Sequence, residues 1–345
     1  MNSEHKNINP NFKKKSKQDF SAAELLEKIR AGNKKSLSLA LSLAESSRSE
    51  DRAILNEILK GYSKTSSKRI AITGPPGAGK SSLINSWGSY VADRGIKLAV
   101  LSIDPSSPES GGSILGDKTR MDTLSVHENA FVRPTASGIE SGGVAASTME
   151  SILLCELAGY KYIIIETVGV GQSELSVSEM VDLYILVVQP GAGDDLQGIK
   201  RGIMELADLF VVNKADGDQL NLAKQSSKHL MASRSLIHTK DHGRQTKVLL
   251  YSSETSEHIP TLDTEINEYF SELNQSNYLS TNREKQMIRW LDKQVDKAIL
   301  DATRNRATIE KVRSEMIRNF VDHGHLPIMA QKKIKEVMDQ IIESE

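Results

Sequence analysis

The sequence predicts an α/β fold in which a central, mostly parallel sheet is covered by helices on both faces. Three features predict it. Apolar runs of strand length recur at residues 98–103, 162–165, 183–188, 209–212 and 248–251. Helical segments separate these runs, and such alternation buries a parallel sheet between two helical layers. An earlier β-branched run (Ile70, Ile72, Thr73) ends in a glycine-rich turn, and a helical pattern begins at Lys80.

Before this domain, residues 1–20 are polar and lysine-rich and read as a disordered tail. They lack an apolar core and a small-residue cleavage site, so they do not read as a secretory signal. Ser21-Ala-Ala-Glu24 is a capping box, and Leu25, Leu26 and Ile29 follow at helical spacing up to Gly32. A second helix carries Leu37, Ala40, Leu41 and Ala44 on one face, and a third carries Ile54, Leu55, Ile58 and Leu59 before Gly61. Each stripe is one face wide and must pack on something. Residues 21–67 are therefore a helical prefix to an α/β domain over 68–274. Residues 275–345 return to helix. Ile288, Leu291, Val295, Ala298 and Ala302 form one stripe, and Ala330, Ile334, Val337 and Ile341 form another beyond a break at 324–327. Stripes so far from the sheet are either a further layer on the same core or an arm that grips a second subunit.

Lys and Arg number 44 against 45 Asp and Glu, a formal net charge of -1, which argues against nucleic acid or a membrane surface as the main partner. No apolar run approaches the length of a membrane span, and a cytoplasmic location is expected. The single cysteine, Cys155, excludes an internal disulfide framework and any multi-cysteine metal site. In Ser-Ile-Leu-Leu-Cys-Glu-Leu it reads as a small buried hydrophobe.

The turn after the first strand is Gly74-Pro75-Pro76-Gly77-Ala78-Gly79-Lys80-Ser81-Ser82, a P-loop in strand–loop–helix context. Glycines let successive backbone N–H groups converge on a phosphate, and the N-terminus of the following helix adds its positive dipole end. Lys80 would reach the β- and γ-phosphates, and the Ser81 hydroxyl would ligate Mg²⁺. Asn213-Lys214-Ala215-Asp216 follows the apolar run at 209–212 and reads as a guanine reader. An aspartate there accepts from guanine N1–H and the exocyclic amine together, whereas adenine presents an acceptor at N1. An unpaired buried charge discriminates by roughly 10⁴–10⁵. GTP is thus expected over ATP. Ser252 and Ser253, after the last strand, are placed to touch the base.

Ile163-Ile-Ile-Glu166-Thr-Val-Gly169 is a buried strand ending in an acid, the Asp-x-x-Gly element with Glu in place of Asp. Glu166 would hold Mg²⁺ through a water, and the Gly169 N–H would face the γ-phosphate. Val170 stands where many GTPases carry the glutamine that orients water, with Gln172 an unsupported substitute, so intrinsic hydrolysis should be slow. The long serine- and glycine-rich loop from Asp104 to Arg120 suits a first switch segment. Asp104 and Asp117 are candidates there for the outer Mg²⁺ shell, or else turn and capping carboxylates. Lys200 and Arg201, after Asp194-Asp195-Leu-Gln-Gly-Ile, could neutralise phosphate charge, bind a partner, or form a solvated helix face.

Taken together, these pieces resemble one family, the MeaB/ArgK-type GTPases of the SIMIBI class, which are chaperones of adenosylcobalamin-dependent acyl-CoA mutases, chiefly methylmalonyl-CoA mutase. The carrying residues are the P-loop, Asp104-Pro-Ser-Ser with Gly-Gly-Ser-Ile-Leu-Gly-Asp117-Lys-Thr-Arg120-Met, Arg133-Pro134, Gly142-Gly143-Val144-Ala145, Glu166-Thr-Val-Gly-Val-Gly-Gln-Ser-Glu174, Asp194-Asp195-x-Gln197-x-Ile-Lys200-Arg-Gly-Ile-Met-Glu205 and Asn213 to Asp216. The similarity spans roughly residues 21–270. It implies a homodimer that binds the mutase, uses GTP hydrolysis to gate cofactor delivery from a cobalamin adenosyltransferase, and protects the mutase. It also implies that Asp104, Asp117 and Glu166 are the Mg²⁺- and catalysis-linked acids, and that Lys200 belongs to a third switch loop which partner binding swings toward the nucleotide. Two departures stand out: residues 137–147 are less basic than is usual in the family, and Ser82 replaces the usual Thr. Competing readings are a GTPase that inserts nickel into another metalloenzyme, a kinase of a periplasmic transport protein, and a nucleotide-gated module without turnover. The nickel reading needs Cys/His ligands near the switches, where only His127 lies.

Overall fold

A computed structural model describes residues 21–104, 121–136, 143–167, 174–191, 201–233, 240–255 and 258–304, together with 314 and 318. The chain divides into two compact units, Met1–Arg283 and Glu284–Glu345. In the first, α1 (Ala22–Arg30), α2 (Lys34–Ala44) and α3 (Ser49–Leu59) precede the alternating domain. That domain runs β1 (Lys68–Thr73), α4 (Lys80–Asp93), β2 (Leu98–Asp104), α5 (Asp122–Val126), β3 (Ala130–Ala136), α6 (Gly143–Leu157), β4 (Tyr162–Thr167) and α7 (Glu174–Ser178). It continues with β5 (Leu183–Val188), α8 (Arg201–Leu206), β6 (Leu209–Val212), α9 (Leu220–Ser233), β7 (Lys247–Leu250) and α10 (Ile259–Gln275). A last described helix, α11 (Tyr278–Arg304), begins in the first unit and continues into the second.

Seven strands pair in the order β3-β2-β4-β1-β5-β6-β7, and every pairing is parallel. Six of them coincide with the apolar runs in the sequence. The seventh, β3, was not legible there. Its Ala-Phe-Val-Arg-Pro-Thr-Ala holds a proline, which is tolerated because β3 is an edge strand. Alternation along each strand builds two cores. Ile70, Ile72, Val100, Ile164, Ile185 and Val187 face Leu83, Trp87 and Val91 of α4 and Leu262 and Ile266 of α10. Leu186, Val188, Phe210 and Val212 face Ile203 of α8 and Ala223 and Leu230 of α9.

The helical prefix forms as its sequence predicts. The Ser21 hydroxyl accepts from the Glu24 N–H at 3.2 Å, and the Asn33 side chain accepts from the Ser36 N–H at 3.0 Å. The buried stripe Leu25, Ile29, Leu37, Ala40, Leu41, Leu55 and Ile58 packs among the three helices and on α6. Arg52 fastens the prefix to α6 through paired bonds to Glu150 of 2.7 and 2.5 Å. Arg133 of β3 donates to Ser38 O and Glu45 Oε2 at 2.6 and 2.8 Å. Cys155 is fully buried, and burial pushes its thiol far up, which leaves it inert.

Opposite the strand ends that carry the P-loop, a buried charge cluster closes the sheet. Arg69 makes two 2.9 Å bonds to Glu156 through Nε and Nη2, and Ser67 and Tyr62 hydroxyls donate to the same carboxylate. Arg283 bonds Asp182 at 3.0 and 2.6 Å, and the Arg69 N–H donates to Asp182 Oδ2 at 3.0 Å. Burial alone would raise the Glu156 carboxyl, but the Arg69 hydrogen bonds and charge overcome it and hold it below its ordinary value. A depressed folded-state value stabilises the fold above the ordinary carboxylate range, and that contribution is lost as pH falls through the folded value. Glu156→Ala leaves the Arg69 guanidinium buried without its carboxylate, and is expected to cost about 3–5 kcal/mol in urea unfolding at neutral pH. A cost under about 1 kcal/mol would contradict the role given to this pair.

Candidate functional site

The site lies at the carboxyl ends of the strands, where β1 sits between β4 and β5 and the chain turns from one half of the sheet to the other. Strand β1 delivers the chain into the P-loop, and the loop has backbone geometry that only glycine takes without strain. Gly74 has φ 146, and a Cβ there would overlap the Val187 carbonyl oxygen of β5. Gly79 caps α4 in the left-handed region (φ 85), with its Cα against the Asn213 carboxamide. Gly77, also left-handed (φ 79), has no heavy atom within 4 Å of where a Cβ would stand. The middle of the loop is thus open beside the N-terminus of α4, whose first turn of N–H groups points out of the helix and suits a phosphate chain. The Lys80 ammonium crosses this loop and donates to the Gly74 and Pro75 carbonyls at 2.8 and 3.1 Å. Phosphate oxygens are the charged acceptors that would replace them.

On the α4 face of the sheet, Glu166, next to last in β4, lies in register with Ser102 of β2 and Ile72 of β1. Its carboxylate is almost fully buried and accepts from Ser81 Oγ at 2.7 Å and from Ser102 Oγ at 3.0 Å. Beside it the Thr167 hydroxyl donates to Thr73 at 2.8 Å, joining the ends of β4 and β1. Ser81 and Glu166 are hard oxygen donors at the phosphate end, the donor type that Mg²⁺ selects.

The residues expected at the base lie at the ends of β6 and β7. Asn213 is buried and donates through Nδ2 to the Ala78 and Gly79 carbonyls at 3.0 and 3.3 Å, while its Oδ1 accepts from Ser253 Oγ at 3.1 Å. Lys214 is exposed and left-handed (φ 56), with its ammonium 3.5 Å from Gln189 Oε1. Ser252 donates to the Asp216 carboxylate and accepts from the Glu254 and Thr255 N–H groups at 3.2 and 3.1 Å. Asp216 is therefore held by a rigid turn rather than swinging in solvent. The Tyr251 hydroxyl lies 2.7 Å from Ser86 Oγ, which ties this end back to α4.

The structure thus brings together Gly74 to Ser81, Glu166, Asn213, Asp216, Ser252 and Ser253. Asp104 ends β2, but its side chain lies outside the described residues, as do Asp117, Gly169, Gln172 and Lys200. Sequence reasoning missed Ser102 and Gln189. Ser102 did leave a signal: it is the one hydroxyl among the apolar residues of Leu98-Ala-Val-Leu-Ser-Ile.

Known proteins are similar to this chain in sequence and in fold. Residues 37–308 match the family model described as "Methylmalonyl Co-A mutase-associated GTPase MeaB". A probable GTPase of Mycobacterium tuberculosis is 39% identical over 311 residues, covering 90% of this chain and 93% of the relative. GTPase ArgK of Escherichia coli is 41% identical over 283 residues, covering 81% and 85%. The mouse protein named "Methylmalonic aciduria type A homolog, mitochondrial" is 37% identical over 292 residues, covering 81% and 70%. Among solved structures, that of a "LAO/AO transport system kinase" superposes with a TM-score of 0.71 at 30% identity, covering 92% of this chain and 97% of that one.

If Asp216 reads guanine as its sequence context predicts, Asp216→Asn exchanges an acceptor for a donor opposite guanine N1–H. GTP affinity by fluorescence titration is expected to fall on the order of 10³-fold, with xanthosine triphosphate preferred instead. Unchanged GTP affinity would remove Asp216 from the base site.

Proposed function

This chain belongs to the MeaB family of GTPases, and on that premise we propose that it gates adenosylcobalamin loading into an acyl-CoA mutase of the methylmalonyl-CoA mutase type and protects that mutase. It binds GTP and transfers the terminal phosphoryl to water. The observation that carries the reading is the link between the two ends of the site. Asn213 spans from the guanine loop to the Ala78 and Gly79 carbonyls, so base and phosphates are held by one frame. The mutase half of the proposal is supported by the family description and by the name of the mouse relative.

In this reading the P-loop N–H groups and Lys80 hold the β- and γ-phosphates. Ser81, Glu166, Asp104 and Asp117 would hold Mg²⁺, directly or through water. When bound, Mg²⁺ would neutralise charge on the phosphate oxygens. The Gly169 N–H is assigned to the γ-phosphate, and Lys214, Asp216, Ser252 and Ser253 are assigned to the base. Val170 provides no group to orient water, so the isolated protein turns over slowly. Partner binding brings Lys200 to the transferring phosphoryl, where added positive charge accelerates the step. A cobalamin adenosyltransferase supplies the cofactor that the switch admits, and the reading keeps all of this in the cytoplasm. Among the described residues no helix is long and apolar enough to cross a membrane.

A homodimer belongs to the same proposal. Ile288, Leu291, Val295 and Ile299 of α11 recur at helical spacing and are 54%, 56%, 49% and 55% exposed. Four large apolar side chains in one stripe need a covering surface, and a second copy of the chain supplies it through a two-fold interface. A second reading, transfer of phosphate to a transport protein, is favoured only by the name that the similar solved kinase carries.

Phosphate release from GTP, followed with and without purified methylmalonyl-CoA mutase, tests the proposal. Mutase is expected to raise the rate by about 10-fold or more, and Lys200→Ala to abolish most of that rise. Full acceleration of Lys200→Ala would sink its role, and no response to mutase would sink the partnership. Ile288→Glu combined with Val295→Glu is expected to convert a dimer into a monomer by light scattering. A wild-type chain that is monomeric with and without nucleotide would remove the dimer.

A further inference from the structure

The strand-end acid of this site is a glutamate, and glutamate carries one more methylene and one more rotatable bond than aspartate. Left to itself, its carboxylate would sample several positions at the edge of the phosphate pocket. Two hydroxyls restrain it from different elements. Ser81, in the first turn of α4, donates to Oε1 at 2.7 Å, and Ser102, on β2, donates to Oε2 at 3.0 Å. Ser102 is 1% exposed and stands opposite Glu166 in the parallel register. The same register sets Ser102 on the α4 face with Val100. A valine or alanine there would continue the apolar alternation of β2, so the hydroxyl is not needed for burial.

We infer that Ser102 is a positioning residue for the metal-linked carboxylate, fixing the Glu166 side chain so that its oxygens meet the Mg²⁺ hydration shell in one orientation. The inference rests on the reading that Glu166 holds Mg²⁺ through water. Ser102 touches neither nucleotide nor metal and acts through Glu166. Partners of this kind orient ligands and tune affinity for the ion. Ser81 meets only Oε1, and Ser102 adds a donor on Oε2 from a second element. A donor on each oxygen fixes its plane.

The experiment uses the full chain loaded with GDP and compares wild type, Ser102→Ala, Ser102→Val and Ser102→Thr. Valine and threonine have nearly the same shape and differ by the hydroxyl, so the pair separates hydrogen bonding from packing even if alanine disturbs the fold. Mn²⁺ binding is read by electron paramagnetic resonance, GDP affinity is read in EDTA, and the Mg²⁺ dependence of GTP turnover is read in parallel. The expected result is about a 10-fold weaker Mn²⁺ affinity for Ser102→Ala and Ser102→Val. Ser102→Thr should stay near wild type, and GDP affinity in EDTA should be unchanged in all four. Equal Mn²⁺ affinity in the valine and threonine variants, in a wild type that does require Mg²⁺, overturns the inference alone. A wild type whose nucleotide turnover ignores Mg²⁺ overturns the Glu166 reading and this inference with it.

Discussion

One carboxamide holds the nucleotide site together. Asn213 sits buried at the end of β6, donates to two P-loop carbonyls and accepts from Ser253. Ala78 O, Gly79 O and Ser253 Oγ all meet this side chain; Gly79 O also accepts from the Leu83 N–H at 2.9 Å, while leaving the buried Ala78 carbonyl without its donor would cost about 1–3 kcal/mol. Joining them through a single side chain sets the spacing between the P-loop and the turn at Ser252 and Ser253. That spacing cannot drift without breaking several bonds at once. Gly79 completes the arrangement, because a side chain there would collide with the same carboxamide.

The sheet makes such a link possible. In the order β3-β2-β4-β1-β5-β6-β7, the ends of β2, β4, β1 and β6 bring Ser102, Glu166, the P-loop and Asn213 to one edge, although they are far apart in sequence. At the opposite edge, the Arg69–Glu156 and Arg283–Asp182 pairs lock the starts of β1 and β5 to α6 and to the beginning of α11. One end of the strands is thus rigid through buried charge, while the other presents backbone amides and hydroxyls to a ligand. The helical prefix adds a second brace, since Arg52 and Arg133 tie it to α6 and to edge strand β3.

Most of this was legible in the sequence where a residue type has one physical use. The glycines at 74 and 79 and the capping serine at 21 announced their backbone roles, and six strands announced themselves by apolar runs. Strand β3 did not, because Pro134 and the half-buried Arg133 hide an edge strand from any rule based on apolar runs. Ser102 showed only as a lone hydroxyl in an apolar run, because a serine in a strand gives no hint of which carboxylate lies across the ladder; that depends on a register between strands more than sixty residues apart. The Arg69–Glu156 pair was invisible for the same reason. Pattern fixes local structure, while contacts between distant residues follow only from the assembled sheet.

The central claim is that one frame reads guanine and phosphate together. Isothermal titration of the purified chain with GTP and with ATP, each with Mg²⁺, tests it most directly. The account predicts GTP binding at least about 10³-fold tighter than ATP, because adenine leaves the held Asp216 carboxylate facing an acceptor. Equal affinity for the two nucleotides, or binding of neither, would contradict it.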